Sequence, residues 1–117
     1  MKDESSWLYP FADLEVDERR VGHRLVLALS GEIDIATVGK MRDALSRGAA
    51  AGVAEIWVDL TDVNFMDSTG LTALVHARRD GVPRLSLICP AGPVRRVIEI
   101  AGIDQVVPVH SNRSAAQ

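Results

Sequence analysis

Cysteine is almost missing from this chain: Cys89 stands alone, which excludes an internal disulfide framework and any CxxC metal site. Lysine is nearly as scarce, with Lys2 and Lys40 against eleven arginines, and no GxxxxGK loop is present to cradle a nucleotide phosphate. A GxSxG nucleophile elbow is also absent. No apolar run approaches the roughly 20 residues that a membrane-spanning helix needs. The opening MKDESS carries two acidic residues where a signal peptide would have a basic start and an apolar core. The expected location is therefore the cytoplasm, with no membrane insertion. A formal charge of −3 argues against direct nucleic-acid binding, which calls for clustered Lys and Arg. The pairs Arg19-Arg20, Arg78-Arg79 and Arg95-Arg96 read as solvated faces.

What is present fits one globular domain: 117 residues, 47% hydrophobic and 25% charged. Leu14 to Asp17 and Leu25 to Ser30 read as strands joined by a charged turn at Val21-Gly22-His23, hence an antiparallel hairpin. LVLALS is apolar almost throughout, as suits a strand covered on both faces. After Gly31-Glu32-Ile33, Asp34 reads as the N-cap of a helix through Val38, Met41 and Leu45 to about Ala49, ended by Gly52. Strand Glu55 to Leu60 leads through a polar turn to a second helix, stopped at Asp80-Gly81-Val82-Pro83. Strand Arg84 to Ile88, the turn Pro90 to Pro93, and a short helix with Val94, Val97 and Ile98 follow. Gln105 to Val109 reads as a last strand, at the edge because Pro108 cannot donate to a ladder. HSNRSAAQ either frays or starts a short final helix.

This alternation implies an α/β fold: a mixed, mainly parallel sheet of about five strands, with the hairpin at its start and helices mostly on one face. The expected divisions are an N-terminal arm (residues 1–12), the domain (13–110) and a polar tail (111–117). Consecutive parallel strands bring their strand-to-helix turns to one rim, so Asp34, Asp67-Ser68-Thr69 and Pro90 to Pro93 are expected as neighbours. The arm holds Trp7, Tyr9 and Phe11, three of the five aromatic residues. It reads as a loosely packed terminus, or as a cover for an open sheet face or a partner contact.

The stretch DLTDVNFMDSTGLTAL, residues 59–74, concentrates the candidate chemistry. Ile56, Val58 and Leu60 alternate as a strand, and Leu71, Leu74 and Val75 recur at helical spacing, so Asp67, Ser68 and Thr69 stand at a helix start. There the free backbone N–H groups and the helix dipole favour an anion such as a phosphate. On spacing alone, a plain N-cap role is the better reading of Ser68. A phosphoacceptor receiver domain would need an acidic pair after its first strand and a late lysine, both missing. An aspartic protease would place Asp-Ser/Thr-Gly in an all-strand fold, whereas DSTG has one residue too many and runs into a helix. No histidine is evidently placed to activate Ser68, although His76 and His110 are distant candidates. Cys89 reads as buried and inert. No catalytic residue, cofactor or metal is expected.

GEIDIAT at 31–37, DLTDVNFMDSTGL at 59–71 and CPAGPVRRVIEIAGID at 89–104 together resemble a STAS domain, and more narrowly the small bacterial anti-sigma factor antagonists. The resemblance covers about residues 14–110 and implies a superhelix of strand-helix units. It further implies that Ser68 is phosphorylated by an ATP-binding serine kinase that is itself the anti-sigma factor, and that a serine phosphatase reverses the mark. Unphosphorylated protein would bind that anti-sigma factor and release a sigma factor. Asp34 would shape the surface the kinase reads; Asp67, Thr69, Gly70, Pro90 and Gly92 complete the expected partner-binding set. Thr69 is not the expected acceptor. The aromatic leader has no obvious family counterpart, and the tail after Val109 leaves little room for the usual last helix. A second reading is a non-catalytic STAS scaffold in a stress-signalling complex or beside a membrane transport system. A monomer or weak dimer is expected, with apolar positions such as Ile100 available for self-association.

Overall fold

The computed structural model describes residues 13–82 and 84–116. The aromatic arm, residues 1–12, lies outside the described residues, as do Pro83 and Gln117. Strands β1 (Leu14–Val21) and β2 (Arg24–Ile33) form the hairpin, antiparallel from Leu14 opposite Gly31 to Val21 opposite Arg24. Helix α1 (Val38–Ala50), strand β3 (Glu55–Met66), helix α2 (Ser68–Arg79), strand β4 (Arg84–Ile88), helix α3 (Pro93–Ile100) and strand β5 (Val109–His110) follow, with 3-10 turns at Ile103–Gln105 and Arg113–Ala116. The sheet order is the chain order, β1-β2-β3-β4-β5, and β2 to β5 are parallel.

Each parallel strand is added on the same side of the last, so crossovers of one hand put every helix on one face. The alternation in the strands shows which face. Leu25, Leu27 and Leu29 of β2, Ile56, Val58 and Leu60 of β3 and Leu85 and Leu87 of β4 pack with Met41 and Leu45 of α1, Leu74 of α2 and Ile98 of α3 in one core. The intervening side chains face the other way, where Val26, Trp57, Ile88 and Ala116 make a second, smaller cluster without an α-helix. That explains why LVLALS is apolar at nearly every position: both faces of β2 are covered, by different means.

Four elements differ from the spacing-based reading. β1, β2 and β3 are longer than expected, and β3 runs past Leu60 to Met66 because β2 extends beside it to Ile33. The last strand shrinks to two residues: Gly102, left-handed at φ 75°, starts a turn in which Gln105 and Val106 N–H groups bond back to Gly102 and Ile103, with Ile103 and Val107 buried as anchors. Pro108 still joins the edge, through its carbonyl, which accepts from Leu87 N–H at 2.9 Å. The tail forms a short 3-10 helix that lies on the face without α-helices, with Ala116 buried.

Two charged clusters tie that face together. Arg113 donates from Nε to Asp59 Oδ2 at 2.6 Å and from Nη2 to Asp62 Oδ2 at 2.7 Å. Asp59 is 3% exposed and cannot lose this partner cheaply. Arg113→Ala is expected to lower the free energy of unfolding by about 2 kcal/mol, read from urea titration, after allowing for the exposure of the arginine. Glu55 pairs with Arg24 and accepts from Trp57 Nε1 at 3.0 Å; these contacts, the Trp57 hydrogen bond foremost, hold its carboxyl below the usual glutamate range. The ionised form is the bonded one, so its contribution is complete above the ordinary value of 4.5 and is lost as pH falls through the lowered one. The unfolding temperature should therefore decline less steeply in acid for Glu55→Gln than for the wild type.

Candidate functional site

The ends of β2 and β3 meet at one rim, Ile33 opposite Met66, and Asp67 N–H donates to Ile33 C=O at 3.1 Å. The register shifts twice on the way there, between Ala28 and Ser30 and between Gly31 and Glu32, each time with one extra residue on β3. The two strand-to-helix turns are thus stitched backbone to backbone.

Asp67 is extended and caps α2: its carboxylate accepts from Thr69 N–H at 2.9 Å and also takes the Thr69 hydroxyl. Ser68 is the first helical residue and is exposed, and its hydroxyl makes no hydrogen bond to another described residue. Of the two adjacent hydroxyls, one is tied down and one is presented. Gly70 is buried behind them. A Cβ there would lie 2.8 Å from both Ile33 Cγ2 and Met66 Cγ, so the first turn of α2 sits directly on the strand ends. Gly70→Ala is expected to cost about 1–3 kcal/mol in urea unfolding, because flexible side chains must shift to admit the methyl. It should also move Ser68 relative to Asp34.

Asp34 does not cap α1, contrary to expectation. Its Oδ1 accepts from Ala36 N–H at 2.9 Å and Thr37 N–H at 3.2 Å, closing a separate turn, and the N-cap falls three residues later, at Thr37. The carboxylate claims N–H groups that precede the helix, and so delays it. Thr37 is the residue that sequence reasoning missed. It is 4% exposed, accepts from Asp34 N–H at 3.0 Å and donates to Glu32 C=O at 2.7 Å, locking the turn from inside. A hydroxyl three residues after an aspartate, in GEIDIAT, was the available signal.

Pro90 and Gly92 are not brought to Ser68. β4 pairs with β3 only as far as Ile88 opposite Asp59, whereas β3 continues seven residues further to Met66. The Pro90–Pro93 turn therefore starts α3 beside the middle of β3, because β3 outruns β4 on that side. In its place the rim gains two exposed apolar side chains, Ile35 at 81% and Phe65 at 51% exposure, the latter in register with Glu32. Glu32, Asp34 and Asp67 give the rim negative charge, and none of the three forms an ion pair with another described residue.

Neither His76 nor His110 stands by Ser68. His76 is exposed on α2, eight residues on, or about 12 Å along the helix axis. His110 packs against Trp57, ring centroids 4.9 Å apart, on the face without α-helices. No group of His, Cys, Asp and Glu among the described residues could hold a metal. Cys89 is buried, and burial pushes its thiol pKa up, so the reactive thiolate is disfavoured. None of the described helices is long and apolar enough to cross a membrane.

A model of the STAS domain matches residues 14–116. The chain belongs to the STAS domain family. This STAS domain is 31% identical over 99 residues to the anti-sigma-B factor antagonist of Listeria monocytogenes, covering 82% of the chain and 86% of the relative. It is 29% identical over 85 residues to the anti-sigma-B factor antagonist of Staphylococcus aureus, covering 70% and 79%. In structure it is similar to an anti-sigma factor antagonist from Mycobacterium paratuberculosis, with a TM-score of 0.81, 23% identity and coverage of 88% and 90%. It is also similar to the unphosphorylated form of the anti-sigma factor antagonist SpoIIAA, with a TM-score of 0.73, 23% identity and coverage of 87% and 93%. At these identities the structural likeness concerns the fold: a five-stranded mixed sheet with one antiparallel pair and three helices.

Proposed function

We propose that this STAS domain is an anti-sigma factor antagonist switched by phosphorylation of Ser68. Unmodified, it docks its rim on an anti-sigma factor that is also a serine kinase, and a sigma factor is released. Phosphorylated, it is silent until a serine phosphatase removes the mark. The observation that carries this reading is the contrast between neighbours: Ser68 is exposed at the start of α2, while the Thr69 hydroxyl is held by Asp67. The names of the curated relatives support the choice of partner.

The physics of the switch is local. A phosphoserine brings about −1.5 to −2 charges, and the first turn of a helix tolerates them through its N–H groups and dipole. A docked partner surface does not, because the phosphate would have to shed water beside Asp67 and the Asp34 turn. The fold stays and the surface changes. Incubation with ATP and the kinase candidates of the same organism, followed by intact-mass measurement, tests the reading. One phosphate on wild type and none on Ser68→Ala is the expected result. A phosphate retained by Ser68→Ala overturns the site, and no phosphate with any kinase favours the scaffold reading.

A further inference from the structure

One edge of the sheet is long and open. β1 has eight residues, and no described element pairs with its outer side. β5, at the opposite edge, has two. Glu32 N–H donates to Asp13 C=O at 2.8 Å, which fixes the phase of β1. Asp13, Glu15, Asp17, Arg19 and Val21 turn their backbone groups toward β2, and Leu14, Val16, Glu18 and Arg20 turn theirs outward. Leu14 is already satisfied: its N–H donates to Asp13 Oδ1 at 2.8 Å, and its C=O accepts from Lys40 Nζ of α1 at 2.9 Å. The outward N–H and C=O groups of Val16, Glu18 and Arg20 have no partner among the described residues.

Charges on an edge strand ordinarily prevent pairing, by setting like against like. On β1 the order of the signs favours one arrangement instead. Glu15, Asp17 and Glu18 come first, and Arg19 and Arg20 follow, so a second β1 running antiparallel meets opposite charges. Asp17 and Arg19 are exposed and form no ion pair with another described residue. We propose that two copies of this chain pair edge to edge through β1, with Glu18 on the twofold axis, into one continuous sheet. In that register Val16 of each copy exchanges backbone hydrogen bonds with Arg20 of the other, and Glu18 with Glu18, so every outward group without a partner gains one. Asp17 of each copy lies opposite Arg19 of the other, at the positions where paired strands come closest. The two Glu18 side chains meet on the axis, but each is already held by Arg47 of its own α1. A slip of two residues in either direction would set Asp17 or Arg19 against itself, which specifies the register. The axis lies about 17 Å along β1 from Asp13 and the rim, so the contact leaves Ser68 of both copies open, at opposite ends of the dimer.

Sedimentation velocity of the full-length chain over a concentration series tests this, since the dimer forms by mass action. Wild type should move toward a dimer as concentration rises, and high salt should weaken it. Arg19→Asp should weaken dimerisation roughly tenfold or more, and adding Asp17→Arg to it should restore the affinity. Glu18→Pro should abolish the dimer and leave the monomer folded, because the N–H it removes faces outward from an edge strand. Amide hydrogen exchange gives the direct view: Val16, Glu18 and Arg20 should exchange more slowly as the dimer forms. A chain that stays monomeric at NMR concentrations overturns the proposal. So does a dimer that Glu18→Pro leaves intact, one that Ile100→Arg on α3 dissolves, or one in which those amides exchange as in the monomer. A charge-swapped double variant no tighter than Arg19→Asp alone overturns the register.

Discussion

Phosphorylated protein, or the variant Ser68→Asp, is expected to bind the anti-sigma factor more than a hundredfold more weakly than unmodified wild type. A penalty of about 3 kcal/mol at the interface suffices. Burying an anion without a partner costs at least that much, and here Asp67 caps the same turn while Asp34 heads the adjoining one. Two comparisons separate this mechanism from a general loss of structure. The unfolding free energy of Ser68→Asp should stay within about 0.5 kcal/mol of wild type, since an acidic side chain is welcome in the first turn. Ser68→Ala should bind in the presence of kinase and ATP, having no hydroxyl to modify. Titration calorimetry reads the affinities. If Ser68→Asp binds as tightly as wild type, the switch does not work by charge at this position.

The second large effect is on the fold. Gly31→Ala is expected to cost about 3 kcal/mol or more in urea unfolding. Gly31 sits at φ 115°, and a Cβ built there would lie 2.3 Å from the Asp13 carbonyl oxygen. That contact is with backbone, so no rotamer change relieves it; the start of β1 would have to lift from β2. Gly22 provides the contrast. It is also left-handed, at φ 62°, but open space surrounds it, so Gly22→Ala should cost only about 1–2 kcal/mol. The glycine that opens GEIDIAT thus has a mechanical reason to be a glycine: it lets β1 cross close to the turn that holds Asp34.

Much of the architecture was legible along the chain. The period-2 stripe in Leu25, Leu27 and Leu29, the helical recurrence of Val38, Met41 and Leu45, and the polar turn at Asp67-Ser68 lead directly to strands, helix and helix start. The same reading erred where neighbours decide. Gln105 and Val106 have strand-like company, but Gly102 and the buried Ile103 wind them into a 3-10 turn. Asp34 has the right residue type for an N-cap, yet its carboxylate closes an earlier turn instead. Pro90 and Gly92 belong to a strand-to-helix turn like the others, but the unequal lengths of β3 and β4 leave that turn behind.

By itself the sequence determined which segments alternate, where each helix begins to within one turn, and that a serine opens the helix after the third strand. Those features depend on local pattern, on caps, and on the order of strand and helix, all of which are written residue by residue. The tertiary structure decided which turns meet, that Thr37 is buried to lock the Asp34 turn, and that Thr69 rather than Ser68 spends its hydroxyl on Asp67. Register and strand length are set by packing between segments far apart in the chain, so the joining of the turns after β2 and β3, through Asp67 N–H and Ile33 C=O, follows only from the two strands ending side by side.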